Sequence, residues 1–165
     1  MLRRSSAEAS KSCALLGFIA AAPLAGAIPA HAQTPNQLLY LFSGLTDNQD
    51  FATGASIASV IHCSNFSGQT AAVQFVVDYT LGLQAANKTI LISNLETITA
   101  ATKDTLMYLE DLYLNTGALT QGFALVVASS PYIVCTAQVV DAKALVPVGI
   151  ALHGLRFNPI PGSQE

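Results

Sequence analysis

The chain has no tryptophan, two methionines, three cysteines and three histidines, and only 7 Lys+Arg and 10 Asp+Glu among its 165 residues. Charged residues make up 10% of it, against roughly 25% in an average soluble domain. So few and so scattered cations cannot neutralise a run of phosphates, which excludes nucleic-acid binding. Blocks of like charge are missing, so the chain is neither a disordered tail nor a charged coiled coil. No Gly-x-Ser-x-Gly elbow, glycine-rich phosphate loop or CxxC pair is present. A serine hydrolase, a phosphate-loop enzyme and a zinc ribbon therefore lack their starting residues.

What the chain does have is apolar residues, 52% of the total. Arg3, Arg4 and Lys11 precede an uncharged stretch from Cys13 to Ala30, and Ala30-His31-Ala32 puts small residues at both specificity positions of a signal peptidase. This pattern predicts a secretory signal peptide, residues 1–32, cleaved between Ala32 and Gln33. Gly17, Pro23, Gly26 and Pro29 spoil the same stretch as a spanning helix. Cleavage would leave 133 residues with four basic side chains (Lys88, Lys103, Lys143, Arg156), nine acidic ones and a net charge of −5. The longest unbroken apolar run then left is Phe123 to Ala128, too short to span a membrane. The expected location is extracytoplasmic, periplasmic or secreted. One domain over 33–160 and a flexible tail over 161–165 complete the division.

The domain reads as short strands: Gln37–Ser43, Ser56–Asn65, Thr70–Thr80, Lys88–Ile92, Glu96–Ala100, Gly122–Ala128, Tyr132–Val140 and Val148–Phe157. Val73, Phe75, Val77 and Tyr79 alternate with Gln74 and Asp78, the period of a half-buried strand. Leu106–Leu114 fits a strand or one face of a helix, and strand is the preferred reading. Loop chemistry fills Leu45–Gly54. Turn residues at intervals of about 8–12 residues predict an all-β sandwich of about seven to nine strands.

Loss of Cys13 with the signal leaves Cys63 and Cys135, an even pair in an exported chain, for which a disulfide is expected. Free buried thiols or a metal site are the alternatives, and the absence of a second Cys pair disfavours the metal.

The segment Val60-Ile61-His62-Cys63-Ser64-Asn65, turning at Phe66-Ser67-Gly68 into Val73–Tyr79, resembles the B–C region of bacterial immunoglobulin-like domains. Asn115-Thr116-Gly117, Cys135-Thr136-Ala137 with Val139-Val140-Asp141, and Arg156-Phe157-Asn158-Pro159 resemble small exported bacterial proteins of that class whose function is unassigned. The resemblance spans most of 37–160. It implies an immunoglobulin-like Greek-key sandwich, no enzyme activity and a Cys63–Cys135 bridge like the inter-sheet disulfide of antibody domains. No tryptophan packs on that bridge, and Ile133 stands where a tyrosine corner would place Tyr.

Chemistry-bearing residues are few. Strand alternation sends His62 to the face opposite Cys63, so the two cannot form a nucleophile–base pair. His153 in the last strand has no ligand-spaced partner, so no metal and no cofactor are expected. Asp47, Asn48 and Asp50 lack the ligand series of an EF-hand and read as a polar turn. Glu110 and Asp111 would point to opposite sides of a strand, which rules out a convergent glycosidase pair. Tyr40, Tyr79, Tyr108, Tyr113 and Tyr132 supply stacking surfaces if they cluster. The expected function is a non-enzymatic structural or interaction module, joining a protein partner or a second copy through an edge strand. The alternative is a small-ligand domain, for carbohydrate as one example, with an enzyme third.

Overall fold

Runs in which β-branched and aromatic residues alternate with polar ones can bury one face each, and two stacked sheets satisfy them together. The computed structural model describes residues 34–49, 56–146 and 148–157. The signal segment 1–32, both residues of the cleavage site (Ala32, Gln33), Asp50 and the tail 161–165 lie outside the described residues.

Among the described residues ten strands form: β1 (Gln37–Asp47), β2 (Ile57–Asn65), β3 (Ala71–Tyr79), β4 (Gln84–Ile92), β5 (Thr97–Ala101), β6 (Leu112–Tyr113), β7 (Leu119–Ala128), β8 (Ile133–Asp141), β9 (Gly149–Leu152) and β10 (Gly154–Arg156). They make two five-stranded sheets, the first ordered β10-β1-β7-β3-β4 and the second β6-β5-β2-β8-β9. Every pairing is antiparallel except β5 with β6. The fold is thus an all-β sandwich.

The core lies between the sheets. Phe42, Phe75, Val73 and Val77 face it from the first sheet, and Ile61, Cys63, Ile98 and Ile133 from the second. Phe42 and Phe75 are almost wholly buried, each worth about 1.5–3 kcal/mol of apolar transfer. Asn65 pins the sheets together. Its amide donates to Gln69 O at 2.7 Å and to Ile92 O at 2.8 Å, and its Oδ1 accepts from Ser67 N at 2.9 Å. With no exposure at all, it is no acceptor for a glycan, although Asn65-Phe66-Ser67 has the spacing of one.

Three sequence readings change. First, β1 continues through Leu45 to Asp47, bending at bulges near Ser43 and Leu45. Its end is a fully buried aspartate rather than a solvated turn. Second, Leu106–Leu114 is not a strand apart from Leu112–Tyr113. Thr105 and Glu110 brace it from within instead: Thr105 N and Thr105 Oγ1 donate to Glu110 Oε1, and Tyr108 N donates to Thr105 Oγ1. Such local bonds compete with a ladder and hold an irregular segment. Third, the run Val148–Phe157 breaks in two. It leaves the second sheet after Leu152, turns at His153 and joins the first sheet as β10. Gly154 permits the passage, because a Cβ there would collide with the Phe42 ring. The split in this run and the two-residue β6 carry the strand number beyond nine.

The disulfide also sits differently from the antibody-like arrangement. Cys63 and Cys135 are directly opposite on β2 and β8, neighbours in one sheet, with Cα atoms 4.2 Å apart. That is close to the roughly 4.5 Å of a non-hydrogen-bonded antiparallel pair, where side chains approach most closely. The bridge faces the core but does not cross between sheets.

Candidate functional site

The outer face of the second sheet carries the polar chemistry. Alternation along β2 turns Ala58, Val60, His62 and Ser64 outward, and Cys63 inward. Ala58 and Val60 join Ala101, Val140 and Ala142 in a small apolar cluster, capped by Met107 and Tyr108 from the segment between β5 and β6. That segment is therefore fastened to the sheet by packing as well as by its own hydrogen bonds.

His62 sits beside this cap, half-buried. Its ring meets Tyr108 edge-on with centroids 4.8 Å apart, Nδ1 is 3.1 Å from Thr99 Oγ1, and Nε2 is 3.4 Å from Gln138 Nε2. Gln138 Nε2 also donates to the Tyr108 hydroxyl at 2.5 Å. Burial lowers the His62 pKa below 6.5, so the neutral ring belongs to the folded state. The unfolded chain then binds the extra proton first as pH falls. Stability should decline as pH drops below about 6.5, and His62→Gln should flatten that part of the profile. Urea titrations of both proteins at neutral and mildly acidic pH check this, and parallel profiles would refute it.

Beside the cap lies an open cleft of about 490 Å³. The irregular segment contributes Asp104, Thr105, Leu106, Tyr108, Leu109 and Glu110, and β6 contributes Tyr113. Ser56, Ala142 and Lys143 close the other side, where Ala142 N donates to Ser56 O and Leu106 N to Ala142 O. Leu109 is 95% exposed and Leu106 63%, an unusual display for leucines at a cleft. The Tyr113 phenol is pushed above its usual range, first by its hydrogen bond to Asp104, then by desolvation and the charges of Asp104 and Glu110. Ser56 is fully buried and its hydroxyl has no hydrogen-bond partner.

Beneath the neighbouring surface lies an ion pair that sequence reasoning missed. Lys103 Nζ is 3.2 Å from Asp47 Oδ1 and 2.9 Å from Asn48 Oδ1, with both charged side chains buried. Asp47 Oδ1 also accepts from Gln49 N, while Oδ2 has no partner. Nothing in the spacing of Asp47 and Lys103 announces this pairing, because it depends on which strands are neighbours. At Asp47, the reading of Asp47, Asn48 and Asp50 as a polar turn gives way to the end of β1 and a buried ion pair.

The remaining candidates separate. Tyr40 is buried beside Phe42, with Arg156 over its ring, and Tyr79 donates to Thr116 O. Tyr108 and Tyr113 share the cleft, whereas Tyr132 precedes β8, at the opposite end of that strand from Ala142 and Lys143. The five tyrosines therefore form no common face. Glu110 holds Thr105, and Asp111 accepts from Thr99 N at 2.8 Å, so the adjacent acids do not converge. His153 is exposed at the turn between β9 and β10. Among the described residues, no three His, Cys, Asp or Glu side chains gather as a metal site would require.

A second surface feature lies at the sheet edges. Of the four edge strands, β6 has two residues, β10 has three and ends in Arg156, and β4 carries exposed Lys88 between Asn87 and Thr89. β9, four residues long, carries no charged side chain. Leu145, Val148 and Ile150, in and before it, are exposed at 79%, 68% and 75%. Among known proteins, the chain matches no family model, no curated protein and no solved structure.

Proposed function

We propose that the chain is an exported, non-enzymatic β-sandwich that works as an interaction module through the β9 edge. The observation that carries this reading is the unguarded edge itself. An edge strand offers a row of unpaired backbone donors and acceptors, and proteins normally blunt it with charge, brevity or a bulge. Here the stretch Ala144–Leu155 has no Asp, Glu, Lys or Arg, and Leu145, Val148 and Ile150 stand in solvent. The occupant we infer is a second copy. Two β9 strands related by a two-fold axis pair antiparallel, and the absence of charge means that no like charges meet across the seam.

Export rests on the N-terminal pattern, and a buried cystine fits an oxidising compartment, periplasmic or extracellular. The non-enzymatic part rests on the missing nucleophile and phosphate motifs. The scattered tyrosines favour a module over a carbohydrate-stacking face. The finer architecture we infer is an immunoglobulin-like Greek key. The pairs β2–β5 and β3–β7 correspond to the B–E and C–F pairs of that fold, while β8 beside β2 is a departure from it.

Sedimentation of the purified domain should show a concentration-dependent dimer. Ile150→Lys places a guard on the edge and should weaken that dimer by roughly tenfold or more, with little change in Tm because Ile150 is exposed. A strict monomer at the highest soluble concentration, or an Ile150→Lys protein that dimerises like the parent, would overturn the reading.

A further inference from the structure

We propose that the cleft between the 104–110 segment and the turn after β8 binds an organic ammonium on an apolar stem, held by Asp104 and Glu110, with Ser56 accepting a further N–H. The site is separate from the β9 edge, since no residue of the cleft lies in that strand.

The side chains on the irregular side of the cleft are rich in acceptors. Asp104 is exposed, and Glu110 uses Oε1 for Thr105. Tyr113 lies against both carboxylates. The Tyr108 hydroxyl already receives Gln138. Ser56 is the independent sign. A fully buried hydroxyl without a partner carries an unrecovered desolvation cost. A ligand that brings a donor recovers it. An ammonium has three N–H donors and no acceptor, which fits this inventory better than a sugar, whose hydroxyls need both. Leu106 and Leu109 offer the stem an apolar wall, and the phenol faces of Tyr108 and Tyr113 attract a cation. Lys143, itself engaged in an interaction, lines the opposite side with Ala142.

Such a head comes from a free alkyl amine or from a lysine side chain of a peptide. The test uses n-butylammonium for the first and Nα-acetyl-lysine amide for the second, with n-butanol and glucose as neutral controls. Tyrosine fluorescence, undisturbed by tryptophan, and amide chemical shifts report binding to the full chain. Saturable binding of a cation in about the millimolar range is expected for a fragment of this size, with shifts confined to the 104–113 segment, Ser56 and Ala142. Tighter binding of the lysine amide identifies a peptide source, and the reverse a free amine. Asp104→Asn, an exposed and isosteric change, should weaken binding roughly tenfold while the circular dichroism spectrum stays unchanged. Ser56→Ala should weaken it several-fold and leave the fold intact. Equal response to n-butanol, response to glucose alone, no saturable response, or unchanged affinity in either variant would overturn the proposal.

Discussion

Lys103→Met is expected to cost about 3–5 kcal/mol of folding stability, because it leaves the Asp47 carboxylate buried without its counter-ion. Lys103 is 6% exposed and Asp47 wholly covered, so water cannot take over the role of the ammonium. Asp47 Oδ2 already has no partner, which leaves little reserve when the second oxygen loses its ion pair. A loss of that size lowers Tm by about 10–20 °C in a domain of this length. The double change Lys103→Met with Asp47→Asn should recover much of the loss, since no net charge is then stranded. Calorimetry on the three variants reads both effects. A single-variant loss below about 1 kcal/mol would show that the pair is solvated like a surface bridge.

Replacing both bridge cysteines, Cys63→Ala with Cys135→Ala, should lower stability by about 4 kcal/mol on the chain-entropy model. The bridge closes a loop with a sequence separation of 72 residues, near the upper end of what a single cross-link contributes. Alanine is the apt replacement, because serine would place two hydroxyls in the apolar core. Urea denaturation gives the difference in free energy. Cys63 has no exposure and Cys135 only 6%, so reductant should act on the native protein no faster than the protein opens. Alkylation under native, non-reducing conditions should add nothing at either residue. Two alkyl groups added there would refute the bridge.

The sandwich was legible wherever burial alternates with period two. Val73, Phe75 and Val77 face the core as their spacing requires, and His62 turns away from Cys63 for the same reason. The Cys63–Cys135 partnership followed from arithmetic on cysteines. Its place within one sheet did not, because strand order is a long-range property that residue spacing does not encode. The segment from Leu106 to Leu114 misled for a different reason. Its leucines are periodic, but Thr105 and Glu110 satisfy the backbone locally, and two of those leucines, Leu106 and Leu109, end in solvent. Lys103 was opaque because a lysine is usually a surface residue, and only the meeting of its segment with the end of β1 makes it otherwise. Ser56 and the β9 edge share this dependence on neighbours. The cleft was legible only as separate fragments, with Tyr108, Tyr113 and Glu110 considered one by one.

The way the chain alternates between sheets sets a timetable for its folding. β1 pairs with β7, joining Leu41 to Leu125, and with β10, joining Leu41 to Leu155. β2 waits for β8 in the same way, with Ile61 opposite Ala137. An emerging chain can close the β3–β4 hairpin and the β2–β5 pair early, but the first sheet lacks its central strand β7, and the second lacks β8, until the last third of the chain arrives. Loop-closure entropy is spent before these distant contacts reward it, so folding belongs in the millisecond-to-second range of β-rich domains. A nascent chain with this itinerary has no complete sheet until the last third of its synthesis. That is the state in which a polypeptide can be threaded through a narrow channel before it becomes a sandwich.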